Sequence, residues 1–213
     1  MNDIYQLRHE YDERYARATR LGTWFPDDAE LCQECGASNS SRVRPLVIEW
    51  EPGSDVIGDF TWPGLLDDII VSQGVRESLE GRFSGFEFGP VIMNQDPKSQ
   101  KSSTAKGREK PRVRLPYKGP ALWDLWVTSW CHFDVFASGM VMEKECQTCH
   151  RKFFKPPDNE EILIIDPRTW NGTHIFKTYE YPACVFCVEE VKLEIEKNRF
   201  TNISLSRHGH IGT

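Results

Sequence analysis

Apolar positions along this chain come in short runs separated by polar turns, not in long helical stripes. Two runs, 45–50 and 161–166, read as extended segments, and two more, 68–71 and 183–188, are rich in the β-branched residues that favour strands. Each of the latter pair leads into a short stretch with helical spacing. Val75 and Leu79 lie four apart within 73–80, and Val191 and Ile195 do the same within 189–197, so each pair shares one helical face. Glu189 and Glu190 at the start of the second stretch and Lys197 at its end suit the helix dipole. A further strand is expected after each helix, at 86–91 and 203–205. The Trp- and Val-rich segment 122–136 reads as one or two core strands of the second half, and 11–24 as helical or irregular.

These elements recur. A displacement of 114 places Cys32 on Cys146 and Cys35 on Cys149, and one of 116 places Phe60 on Phe176, Val75 on Val191 and Leu79 on Ile195. At 117, Arg82-Phe83 falls on Arg199-Phe200, and Gly85 falls on Asn202. Both Gly85 and Asn202 are residue types that tolerate positive φ. Gly81 and Asn198 both suit the left-handed position after a helix. The pattern predicts an α+β fold of two diverged tandem repeats. Each repeat would comprise a Cys-x-x-Cys knuckle, strands and one short helix, and the two would pack about a pseudo-twofold axis. The first repeat spans 1–93 and the second 113–213. Between them, 94–112 has no apolar periodicity and reads as a basic linker or loop.

Composition adds location and charge. No segment reaches the ~20 consecutive apolar residues of a membrane helix, and the first residues lack the basic and apolar regions of a signal peptide, so a cytoplasmic location is expected. The net charge of −6 is unevenly spread: residues 98–118 hold eight lysines and arginines against Glu109 alone, leaving an acidic remainder. An acidic body disfavours nucleic acid and attracts basic protein surfaces.

Seven cysteines, an odd number in a chain with no export signal, argue for reduced thiols over a disulfide framework. A Cys-x-x-Cys turn presents two thiolates on one small loop, half of a tetrahedral zinc site. Cys32, Cys35, Cys146 and Cys149 would together complete one structural four-cysteine zinc site shared by the repeats. A rival set combines Cys146 and Cys149 with Cys184 and Cys187, although that last pair falls on a strand, where positions i and i+3 face opposite ways. Disulfides or a redox pair without metal form a third reading. Adjacent Cys131 and His132 also face opposite ways on a strand and make a poor nucleophile and base.

No phosphate-cradling glycine loop, Gly-x-Ser-x-Gly elbow or His-Glu-x-x-His helix is present, so the chain is not expected to be an enzyme. Several segments resemble the double-CXXCG motif family, a paralogous group of myxobacteria. They are Cys32-x-x-Cys35-Gly36, then Pro63-Gly64-Leu65-Leu66-Asp67-Asp68-Ile69-Ile70-Val71-Ser72, then Val75 and Leu79 with Phe86-Glu87-Phe88-Gly89-Pro90, and finally Cys146-x-x-Cys149. Residues 191–205 also resemble the tail of related bacterial immunity families. The departures are His150 in place of glycine, the Cys184/Cys187 pair and the basic 98–118 insert.

The resemblance implies an immunity protein (antitoxin) that binds and neutralises a cognate polymorphic toxin domain in the cytoplasm. The acidic residues Glu49, Glu51, Asp55, Asp59, Asp67 and Asp68 are then the candidate toxin-binding surface. The alternatives are a zinc-ribbon nucleic-acid-binding protein that uses the basic insert, which would show salt-dependent binding, and a cysteine-dependent redox enzyme.

Overall fold

The structure, a computed structural model, describes residues 2–38, 40–64, 67–95, 110–159 and 162–213. Most of the basic insert, 96–109, lies outside the described residues. Two six-stranded sheets carry the fold. One runs β2 (Ala18–Arg20), β3 (Leu46–Trp50), β6 (Phe86–Met93), β7 (Leu122–Val127), β5 (Ile70–Ser72), β4 (Phe60–Thr61). The other runs β11 (Leu163–Ile165), β14 (Ser204–Ile211), β1 (Asp3–Arg8), β13 (Val185–Val188), β12 (Ile175–Thr178), β8 (Trp130–Cys131). A separate hairpin pairs β9 (Val141–Glu145) with β10 (Lys152–Lys155), and two helices, α1 (Gln73–Leu79) and α2 (Glu189–Asn198), each follow a strand directly. The class is α+β, with strands dominating.

Sheet membership crosses the middle of the chain. β1 lies between β13 and β14, antiparallel to both, and β7 lies between β5 and β6, antiparallel to both. Segment 122–136 therefore does form strands, but β7 completes the sheet of the first half, not that of the second. Segment 11–24 contains the short strand β2 among turns and no helix. Both helices form where the fourfold spacing puts them, burying Val75 and Leu79 on α1 and Val191 and Ile195 on α2.

α1 starts at Ser72, whose Oγ accepts from the Val75 N–H and donates to Asp59 Oδ1 at 2.9 Å. α2 ends with Arg199 in the left-handed region (φ 56°), one residue later than expected. Asn198 stays in the helix because its Nδ2 donates to the Glu194 carbonyl and to Glu194 Oε1, both at 2.8 Å. Gly85 (φ 99°) and Asn202 (φ 59°) both take positive φ as read. At Gly85 a Cβ would lie 1.9 Å from the Ile175 carbonyl oxygen, so the close approach there requires glycine.

The main core lies between the sheets and draws on both halves: Phe60, Val71, Leu79 and Leu125 pack in one cluster with Ile4, Leu163, Phe176 and Phe186. A smaller core on the first sheet joins Leu46, Ile48 and Trp50 to Val113, so the start of the expected second repeat packs against strands of the first.

The helices are joined through Glu194, which accepts from Ser78 at 3.0 Å and pairs with Arg82 at 2.7 Å. The Arg82 and Asn198 contacts hold its carboxyl down to about 2. A carboxylate whose pKa is lowered on folding stabilises at pH values above its unfolded pKa, and that contribution fades as pH falls toward the folded value. Glu194→Gln should therefore unfold at lower urea than the parent at pH 7, with the gap closing between about pH 4.5 and pH 2. An equal gap at every pH would refute this account.

Candidate metal centre

Both Cys-x-x-Cys segments fold as the same kind of turn. In the first, Gly36 N–H donates to the Cys32 carbonyl and Cys32 N–H to the Ala37 carbonyl, both at 2.8 Å. In the second, His150 N–H donates to the Cys146 carbonyl at 3.0 Å and Cys146 N–H to the Arg151 carbonyl at 2.9 Å. Closing such a turn needs a left-handed residue after the second cysteine. Gly36 adopts φ 68° without strain, and His150 takes the same position at φ 58°. The imidazole of His150 is exposed, with Nδ1 3.3 Å from Glu145, and it does not belong to the thiol cluster. β9 and β10 carry the second turn at the tip of their hairpin.

The two turns meet. Cys32 Sγ lies 3.6 Å from Cys146 Sγ, Cys35 Sγ lies 3.6 Å from Cys149 Sγ, and all four sulfurs fall within 4.8 Å of one another. Tetrahedral coordination with S–Zn bonds of ~2.3 Å sets neighbouring sulfurs roughly 3.8 Å apart, and a disulfide needs about 2.05 Å. The thiols are free and spaced for an ion. Their donor set fits a metal held by four thiolates, with no open coordination position for substrate.

Backbone amides of Cys35 and Glu34 pull the Cys32 thiol down to about 6. The Cys149 amide lowers Cys146, but burial and the neighbouring thiols outweigh it and push Cys146 up to about 12. Four thiols this close cannot all ionise alone, which is the electrostatic situation a dication resolves.

The other cysteines lie elsewhere. Cys187 is fully buried in β13, where burial raises its pKa, and Cys184 is half-buried just before that strand. Cys131 is buried and pushed up to about 12, while the neighbouring His132 ring faces outward and pairs with Glu180 at 2.8 Å.

The candidate acidic surface does not form one patch. Glu49, Glu51 and Asp55 keep solvent exposure. Asp59 is tied to Ser72 and, through Oδ2, to both the N–H and the hydroxyl of Thr201. Asp67 forms an ion pair with Lys177. Asp68 is wholly buried against Arg20 at 2.7 Å and Arg42 at 3.5 Å, so it contacts no partner; burial outweighs both arginines and pushes its pKa up to about 6.

The sequence reading missed Glu34. Its Oε2 accepts from the Thr148 N–H and hydroxyl at 3.2 and 3.1 Å, lacing one cysteine turn to the other. The signal was present, since the displacement of 114 that aligns the cysteines also places Glu34 on Thr148. Beside the thiols runs a cleft of about 910 Å³, lined by Cys32, Cys149, His132 and Phe154, with Phe136 and Tyr179 exposed at its rim. Among the described residues, no helix is long and apolar enough to cross a membrane. Compared with known proteins, the chain matches no family model and no curated sequence.

Proposed function

We propose that the chain is a zinc-braced immunity protein: two diverged copies of one module, locked by zinc on a pseudo-twofold axis, that bind and block a cognate toxin domain in the cytoplasm without catalysing a reaction. The observation that carries this reading is the convergence of equivalent cysteines, Cys32 with Cys146 and Cys35 with Cys149, because the paired Cys-x-x-Cys turns are also what the double-CXXCG resemblance rests on.

The duplication has independent support. Five strands of the first sheet, β3-β6-β7-β5-β4, have counterparts in the second, β11-β14-β1-β13-β12, in the same order and with the same parallel and antiparallel senses. Contacts are also reciprocal, as an isologous interface requires. Phe60 N–H donates to the Thr201 carbonyl at 3.2 Å, and beside the equivalent position Ile175 N–H donates to the Ser84 carbonyl at 3.0 Å. Ser78 meets its own counterpart, Glu194, 116 residues on.

A four-thiolate zinc has no vacant position and acts structurally. The body it braces presents the wide cleft along the cysteine turns, and the half-buried Glu49 and Glu51 with the exposed Asp55 suit steering toward a basic partner. The test is to express the C-terminal domain of the protein encoded immediately upstream, alone and together with this chain. Restored growth together with a one-to-one complex on size-exclusion chromatography is the expected result. Unrelieved toxicity with no complex would refute the immunity reading and leave the metal centre standing.

A further inference from the structure

The middle of each sheet is filled by a strand from the other half of the chain. β1 pairs on both edges, over Ile4 to Leu7 with Val188 to Val185 of β13, and over its whole length, Asp3 to Arg8, with His210 to Ser204 of β14 across a bulge between Ile4 and Tyr5. Ile4, Tyr5, Gln6 and Leu7 are all buried, as in a strand covered on both faces. Without β1, the facing edges of β13 and β14 would expose their backbone N–H and C=O groups, together with the apolar side chains it covers.

We infer that the slot between β13 and β14 is a strand-accepting surface whose second ligand is the β1 of another copy of this chain, giving an intertwined dimer. An incoming copy remakes every contact of the resident strand, since both carry the same Asp-Ile-Tyr-Gln-Leu-Arg segment; only the connection to β2 changes. The slot reads that segment chemically as well as by its backbone. Arg207 grips Asp3 with Nε and Nη2, both at 3.0 Å, and Lys192 lies over the Tyr5 ring at 5.1 Å.

The connection, residues 9–17, is suited to opening. It links strands of different sheets, Glu10, Tyr11, Glu13 and Arg14 are exposed, and Tyr11 sits at φ 54°, a conformation unfavourable for a bulky residue that an extended hinge would relieve. The inference does not depend on what the protein neutralises.

The experiment uses two differently tagged preparations of the full chain. They are either mixed folded, or unfolded together with zinc and reductant and then refolded at about 5 and about 500 µM. Co-purification of the two tags should appear only after joint refolding and rise at least about tenfold between those concentrations, because an exchanged strand needs the fold to open while a surface dimer forms on mixing. In a parallel sample, Tyr5→Cys sets a thiol directly across from Cys187. Oxidation should then give a covalent dimer that disappears with Cys187→Ser. Absence of co-purification at the higher concentration, or equal co-purification on simple mixing, would overturn the proposal.

Discussion

Cys146→Ser should abolish zinc binding at the proposed centre and cost the fold on the order of 4–5 kcal/mol, the scale set by a crosslink that closes a loop of over a hundred residues. Cys146 and Cys32 are 114 positions apart, and Cys146 is fully buried between the two turns. Its replacement therefore both removes a ligand and leaves a hydroxyl among thiols with no ion to organise them. The parent should carry about one zinc per chain by metal analysis and the variant less than about a tenth. Chelation of the parent should reproduce the lowered urea midpoint.

Cys187→Ser serves as the counter-case. It sits in β13 away from the cluster, so it should keep full zinc while paying only for a buried hydroxyl. A parent free of zinc, or a Cys146→Ser chain that keeps it, would contradict a shared four-thiol centre. Four thiolate ligands would also make zinc retention fail as pH drops, with proton uptake accompanying release.

The cysteine turns were legible because their chemistry is local: two thiols per turn, a left-handed residue next, and one displacement aligning the pairs. Both helices were legible for a similar reason, since Val75/Leu79 and Val191/Ile195 carry their own periodicity. What the sequence could not disclose was partnership. β1 and β7 are each six residues long and largely buried, and such a run carries a strand propensity but no label for the sheet that receives it. The β9–β10 hairpin was missed because its residues are mostly exposed and show no buried face to read. The acidic run misled for the opposite reason. Asp67-Asp68 looks like a solvated pair in the sequence, yet Lys177, Arg20 and Arg42 arrive from distant segments to neutralise it.

Arg42→Ala should cost about 3–5 kcal/mol, close to the metal-site change, although it touches no thiol. Arg42 Nη2 donates to Asp124 Oδ1 at 2.5 Å, and both side chains are buried, Asp124 completely. Asp68 would keep Arg20 at 2.7 Å after the substitution, but Asp124 would lose the one cationic partner it has among the described residues. Its second oxygen already lacks a hydrogen bond. The guanidinium also stacks on Trp126 at 4.6 Å, so packing is lost with the charge.

Arg168→Ala removes another short contact, to Asp166 at 2.8 Å, but that arginine is 83% exposed, and its loss should leave the urea midpoint close to the parent's. The cause of the Arg42 penalty can be isolated by removing both charges. Arg42→Met combined with Asp124→Leu should recover most of the loss, because the dominant cost is a buried carboxylate left without its counter-ion. Urea denaturation of the parent, Arg42→Met, Asp124→Leu and the double variant completes the cycle. A double variant no more stable than Arg42→Ala would assign the penalty to packing against Trp126 and refute the electrostatic account.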